Sequence, residues 1–347
     1  MNNKKKKRWK YIHHQLSSTR RELKKRSAKF HKRRSIHISQ RKNDIMAIRK
    51  RASKDYVTIK APNRFSFIEN TDDVLEYFNS CKELLHKNEN VECDISNIDS
   101  LTSDAIALLA AYTNDKDFLG KYGNIRGNAP LKPDLNQIFR ESGFYKFFNA
   151  NRSFKQAHKP DKNMFHQESN YKVQSEIAKQ ACMLGTKHVF ANERPFPELY
   201  EMIVEAMSNT NNHASKGKEK QVKWWLYTYI SPIGNAMYTF IDLGVGIFDS
   251  IPVQKYKQLF RKLKITHNAD LVDDLLSGKI KSRVQLDNNI RGKGIPQIAR
   301  NSSQGCFKQA YLISNNVKIN LKNREVEKLK QEFNGTFLFW ELQNVKK

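Results

Sequence analysis

An α/β fold in two modules behind a basic arm is predicted by three observations. Short strand-like runs alternate with helical spacings from Tyr56 onward. A polar stretch rich in Lys, His, Asn and Gln, residues 151–170, divides these runs into two groups. Charge is unevenly placed: residues 1–54 carry 21 Lys and Arg against the two acids Glu22 and Asp44, a net +19 of the chain's +27. The length, 347 residues, suits about two domains.

Residues 1–54 set basic clusters among Trp9, Tyr11 and Phe30 with little apolar periodicity, so a disordered or partly helical arm is expected. Such an arm can neutralise several phosphates, and Trp9 or Tyr11 can stack on unpaired bases. Nucleic acid is therefore its expected partner. Anionic lipid, an acidic protein or no dedicated partner are the alternatives. No helix-turn-helix or zinc-finger pattern points to sequence-specific reading. The cysteines Cys81, Cys93, Cys182 and Cys306 are far apart and form no C-x-x-C pair, which fits a reduced intracellular chain without a zinc site. The longest apolar run, residues 105–112, is far too short to span a bilayer, and residues 1–20 lack the apolar stretch of a signal peptide. A soluble, cytoplasmic protein is expected.

The first module is expected over residues 55–150. Alternation at residues 56–59 predicts a strand, and the spacing of Val74, Leu75, Phe78 and Leu85 predicts a helix over 71–85. Residues 91–95 read as a second strand, 103–112 as an apolar helix and 123–129 as a third strand. Residues 133–148 read as a helix burying Leu135, Ile138 and Phe139. This order, with Asp94-Ile95-Ser96-Asn97-Ile98-Asp99 leading into the apolar helix, resembles a STAS domain of the anti-sigma-factor-antagonist type. The resemblance implies a phosphoacceptor Ser or Thr at the start of that helix. Here Asp104 stands at the position, Ser103 precedes it, and Ala105 replaces the usual glycine. A docking domain that is not phosphorylated is the other reading.

Residues 151–170 are expected to be a linker and residues 171–347 the second module. Pro197 suits a first helical turn, and Leu199, Met202, Ile203, Ala206 and Met207 form one apolar stripe behind it. Glu205, Asn209 and His213 recur every four residues along the neighbouring strip. A carboxylate and an amide one turn apart at a core boundary can hold a magnesium ion and orient a water. Taken alone, they read first as a solvated face with a spare Glu and Asn. Residues 222–230 and 236–243 are expected to be strands joined across residues 231–235. The second runs into Asp242-Leu243-Gly244-Val245-Gly246-Ile247. An Asp ending a buried strand can accept a hydrogen bond from the exocyclic amine of adenine, and Gly244 and Gly246 let backbone pass close to base and sugar.

Residues 247–289 are expected to close over a ligand, with helix at 253–263 and 270–276. Arg291-Gly292-Lys293-Gly294 then opens an apolar helix, where glycine N–H groups form an anion site and Lys293 adds charge. The G-x-x-x-x-G-K-[ST] spacing is absent. Residues 310–313 and 317–321 read as a hairpin of strands, and residues 335–340, beginning Gly335-Thr336, as a last strand.

The ordered set Glu205-x-x-x-Asn209-x-x-x-His213, Asp242-x-Gly244-x-Gly246, Arg291-Gly292-Lys293-Gly294 and Gly335-Thr336 resembles the N, G1, G2 and G3 boxes of the GHKL (Bergerat-fold) ATPases. The resemblance implies an α/β sandwich whose mixed or antiparallel sheet is covered by helices on one face, with ATP and Mg²⁺ as cofactors. It implies Glu205 as general base, Asn209 as Mg²⁺ ligand and Asp242 as adenine acceptor. Gly244, Gly246 and Ile247 would line the base, Arg291, Gly292, Lys293 and Gly294 the phosphates, and Thr336 would support Asp242. His213 matches a position often His in the anti-sigma kinase branch, with capping or packing as alternatives. The expected function is a slow Mg²⁺-dependent ATPase switch acting on nucleic acid or a companion protein. A serine/threonine kinase of the anti-sigma type and a non-catalytic ATP scaffold are the other readings. A histidine kinase is disfavoured, because His13 and His14 lie in the arm without the usual acidic residue after them. Members of this family often dimerise, so a homodimer is compatible with the resemblance.

Overall fold

The structure, a computed structural model, describes Lys25 and residues 55–121, 124–147, 163–168, 173–192, 194–213, 222–251, 267–280 and 294–344. The expected arm, apart from Lys25, and the expected helix at 253–263 lie outside these residues.

The described chain is a mixed α/β fold. Its first part runs β1 (Tyr56–Lys60), β2 (Arg64–Phe65), α1 (Thr71–His86), β3 (Asn90–Asp94), β4 (Ser100–Leu101) and α2 (Ser103–Thr113). It continues through α3 (Lys116–Leu119), β5 (Asn124–Gly127), α4 (Pro133–Glu141) and a 3-10 turn at Phe144–Phe147. Strands β1, β3 and β5 form a parallel sheet in that order, and β2 pairs with β4. In α1 the buried Val74, Leu75, Phe78, Cys81 and Leu85 share one face, and Asp72 and Asp73 in the first turn complement the helix dipole. Helix α2 is buried from Ser103 to Ala111, as its nearly continuous apolar sequence requires. Helix α4 ends earlier than residue 148, because Ser142 Oγ donates to Phe139 O at 2.7 Å and accepts from Phe144 N at 3.1 Å, turning the chain. All four cysteines are free thiols. Cys81 and Cys93 nevertheless meet, with sulfurs 3.8 Å apart inside the first part.

The second part runs β6 (Met164–Glu168), α5 (Ser175–Phe190), α6 (Pro197–His213), β7 (Trp224–Ile230), β8 (Ala236–Asp242) and α7 (Ile247–Ser250). A 3-10 turn at Asn268–Leu271 leads into α8 (Val272–Leu276), followed by α9 (Gly294–Ser302), β9 (Phe307–Asn320) and β10 (Val326–Leu342). The strands make one antiparallel sheet in the order β6-β7-β8-β10-β9.

Period-two alternation gives this sheet two buried faces. Tyr238 and Phe240 of β8, with Trp224, Leu338 and Trp340, pack under Ala178, Met202, Ile203, Ala206 and Ile298 of the helices. Met237 and Ile241, with Trp225, Tyr227, Phe333 and Phe337, pack against the first part. The ring of Phe67 lies 4.7 Å from that of Phe337 and 5.6 Å from that of Phe333. Asp72 Oδ1 accepts from Lys330 N and Gln331 N, both at 2.9 Å, and so ties α1 to β10. An expectation of helices on one face thus leaves out the second cover, which the first part supplies.

That cover also decides the positions at the start of α2. Ser103 is buried, with Oγ 3.5 Å from Met237 Sδ. Asp104 Oδ2 accepts from Phe67 N at 2.7 Å and Ile68 N at 3.1 Å, and burial raises its pKa. Both side chains are used in packing, and neither is open to modification in this arrangement.

Two expectations are corrected. Met164–Glu168, inside the stretch expected as a linker, is the edge strand β6. Its buried anchor, Phe165, stacks on Tyr227 at 4.5 Å, but Met164 directly before it and His166, Gln167 and Glu168 after it conceal the alternation. Residues 310–313 and 317–320 are not the two arms of a hairpin but parts of one strand, β9, whose partner is β10. The Ser314-Asn315-Asn316 stretch reads as a turn because Asn tolerates left-handed backbone. Asn315 does adopt φ 52°, but within β9, opposite a bulge of β10 where the register shifts between Phe333 and Thr336. Among the described residues, no helix is long and apolar enough to cross a membrane.

Candidate functional site

Asp242 ends β8 on the helix-covered side of the sheet and is 3% exposed. Its Oδ1 accepts from Gly244 N at 3.0 Å, and its Oδ2 accepts from the Thr210 hydroxyl of α6 at 3.0 Å. Thr336, its register partner on β10, adds further hydrogen bonds. Burial pushes the Asp242 pKa up to about 6 against these donors, which favour the charged form. The site therefore holds a buried carboxylate that is mostly ionised at neutral pH.

Thr210 was not singled out in the sequence, although a signal exists. It lies three residues beyond Met207 on the buried stripe of α6, so its hydroxyl enters the core and needs an acceptor.

A second group forms where α6 meets the start of α9. Gly294 opens α9 directly against Glu205 and Asn209. A Cβ there would stand 2.8 Å from Glu205 Oε2 and 3.1 Å from both Asn209 Nδ2 and Oδ1. Hydrogen bonds from Gln297 Nε2 (2.7 Å) and Asn301 Nδ2 (3.1 Å) to Glu201 Oε2 hold the two helices together. Trp340 Nε1 donates to Ser302 Oγ at 3.0 Å, fixing α9 on the sheet. Burial, followed by the charge of Glu201, raises the pKa of Glu205. Asn209 Nδ2 is buried and has no hydrogen-bond partner among the described residues.

Asp242 and Thr336 of the first group and Asn209 of the second border one cavity, part of which opens to solvent. Ala206, Phe240, Ile295 and Leu338 supply apolar walls, and Asn209, Asp242 and Thr336 supply polar groups. Gly246 and Ile247 form another side. Gly244 does not line this cavity. It reaches the site through its N–H on Asp242, and with Leu243 and Val245 it borders a separate cleft shared with Tyr112, Asp115 and Phe118 of the first part.

Two further residues escaped the sequence reading because they sit in the middle of β9, opposite the bulge of β10. Ser314 Oγ accepts from Ile247 N at 2.8 Å and donates to Gly335 O at 2.6 Å. Asn315 Oδ1 accepts from Phe248 N at 3.2 Å, and its Nδ2 donates to Val245 O at 3.1 Å. Of the residues expected at the site, Glu205, Asn209 and Gly294 come together, as do Asp242, Gly246, Ile247 and Thr336. Arg291, Gly292 and Lys293 lie outside the described residues, as does the side chain of His213.

The donor set fits a nucleotide with a divalent cation. An apolar slot ending in a buried carboxylate suits a flat ring that carries an N–H donor. The orphaned Nδ2 of Asn209 can donate to an anionic oxygen, which leaves its Oδ1 for a cation. Among the described residues, no group of three or more His, Cys, Asp or Glu side chains could hold a metal alone, so a cation here would share its ligands with the bound anion or with water.

No family model matches this sequence, and neither a curated protein nor a solved structure matches it.

Proposed function

We propose that the chain binds ATP with Mg²⁺ in this cavity and works as a slow, nucleotide-dependent switch. One observation carries the reading: the buried Asp242 group borders the same cavity as Asn209, which stands together with Glu205 and Gly294, although these residues come from distant parts of the chain. Asp242 accepts a hydrogen bond from the adenine amine, and Phe240, Ile295 and Leu338 cover the ring. Asn209 Oδ1 is the protein ligand for the cation, which when bound offsets the charge of the triphosphate. Gly294 opens the phosphate side, with Arg291, Gly292 and Lys293 preceding it in the chain. Glu205, with its raised pKa, takes a proton from the water that attacks the γ-phosphate. These roles, and the antiparallel sheet with helices α5, α6 and α9 on one face, support a Bergerat-type second module. The parallel β1-β3-β5 sheet with buried α2 supports a STAS-like first module.

The loop geometry favours a switch over a scaffold. Gly246 and Ile247 face the nucleotide cavity, while Leu243, Gly244 and Val245 of the same loop face the cleft to the first module. A change of loop position on nucleotide binding is therefore felt by the first module directly. ATP labelled on its γ-phosphate separates the readings. Release of free phosphate is the expected result, transfer of label to protein would favour a kinase, and neither would leave a scaffold. The buried Ser103 and Asp104 weigh against transfer within the chain.

The arm's +19 charge makes nucleic acid its proposed partner. Deleting residues 1–54 is expected to remove most salt-sensitive retention on heparin and on single-stranded DNA or RNA. Unchanged retention would rule the arm out.

A further inference from the structure

We infer that Asn315, with Ser314 beside it, is a positioning residue that sets nucleotide affinity by fixing the loop from Val245 to Phe248. The inference rests on the ATP reading and extends it to residues outside the four expected stretches. Strand β9 is long, yet at Asn315 it takes a left-handed conformation, and its register to β10 shifts on both sides of that residue. The extra residues at these shifts belong to β10, and the left-handed backbone of Asn315 turns its side chain out of the alternation of β9. Here it aims the Asn315 amide at the loop, where it bonds the backbone on both sides of Gly246, at Val245 O and Phe248 N. Gly246 has φ 81°, and a Cβ on it would lie 2.3 Å from Asn315 Oδ1, so the amide fills the space that a side chain at 246 would need. Ser314 bonds Ile247 N between them and also Gly335 O, linking the loop to the segment that supports Asp242.

Four backbone groups of the loop and its neighbour are thus satisfied by two side chains before any ligand arrives. Loops containing glycine lose much conformational freedom when they are ordered. Fixing this one beforehand lowers the cost of binding. The bonds lie on the base side of the cavity, away from Glu205, so the expected effect is on affinity and not on the chemical step.

The test uses the full chain and MgATP. Asn315→Gly keeps the left-handed backbone and removes both amide bonds. It is expected to raise the Kd and KM for MgATP about tenfold or more while leaving turnover at saturation within about twofold. ADP should weaken to the same degree, because it shares the base side. Asn315→Asp keeps the acceptor for Phe248 N and loses the donor to Val245 O, so it should fall between wild type and Asn315→Gly. It also serves as the decisive variant if Asn315→Gly does not fold. Unchanged Kd in these variants, or a fall in turnover with KM unaltered, would overturn the inference and leave the ATP reading standing. Failure of the wild-type chain to bind MgATP would instead remove the ATP reading, and this inference with it.

Discussion

Asp242→Asn is expected to weaken MgATP binding at least about a hundredfold, equivalent to about 2.7 kcal/mol. Both carboxylate oxygens already accept hydrogen bonds, from Gly244 N and from the Thr210 hydroxyl, and Thr336 adds more. An Asn side chain has nearly the same shape but turns one acceptor into a donor. Whichever way the amide points, an N–H then faces a protein donor or the adenine amine. A buried group left unsatisfied costs about 1–3 kcal/mol, so some loss of stability should accompany the loss of affinity. Calorimetric titration of the variant checks this, and affinity within about threefold of wild type would refute the adenine role.

The same residue predicts two pH trends of opposite sign. Its pKa is raised from 3.8 to about 6 in the folded chain by burial. The native state therefore holds this proton more tightly than the unfolded chain does. Its contribution to stability is fully present below the unfolded value and is lost as pH rises through about 6. Nucleotide binding needs the ionised acceptor, so affinity should fall as pH drops through the same range. Titrations and thermal melts between pH 5 and 7.5 would read both slopes, and Asp242→Asn should flatten each.

Glu205→Gln is expected to lower phosphate release by about 10²–10⁴-fold while MgATP affinity changes little. Glutamine keeps the size and hydrogen-bonding reach of the side chain but cannot take up a proton at neutral pH. Burial and the nearby Glu201 raise the Glu205 pKa, which makes its carboxylate a better base than an exposed glutamate. Steady-state phosphate release at saturating ATP is the measurement. Turnover reduced less than about threefold would mean that another group removes the proton.

Elements whose apolar spacing is strong were legible in the sequence. The stripe of α6 behind Pro197, the buried α2 and the β7–β8 pair all lie close to where periodicity puts them. The site was legible to the extent that its residues come from such elements: Glu205 and Asn209 ride on α6, Asp242 ends β8, and Thr336 pairs with it across the sheet. What could not be read depends on partners distant in the chain. Phe165 marks β6 only once Tyr227 is beside it, and Asn315 looks like a turn residue until β10 pairs around it. Thr210 becomes an Asp242 donor only because α6 crosses the end of β8. The covering of the sheet by the first part was hidden for the same reason, since Phe67, Phe333 and Phe337 each look like ordinary core residues of separate modules.

The central claim is that the Asp242 and Glu205–Asn209 groups enclose one nucleotide. Titration of the intact chain with MgATP in a calorimeter, alongside a thermal melt, tests it most directly. The account predicts saturable heat with one nucleotide per chain, a raised melting temperature, and loss of both in Asp242→Asn. No heat and no change in melting temperature at millimolar MgATP would contradict it.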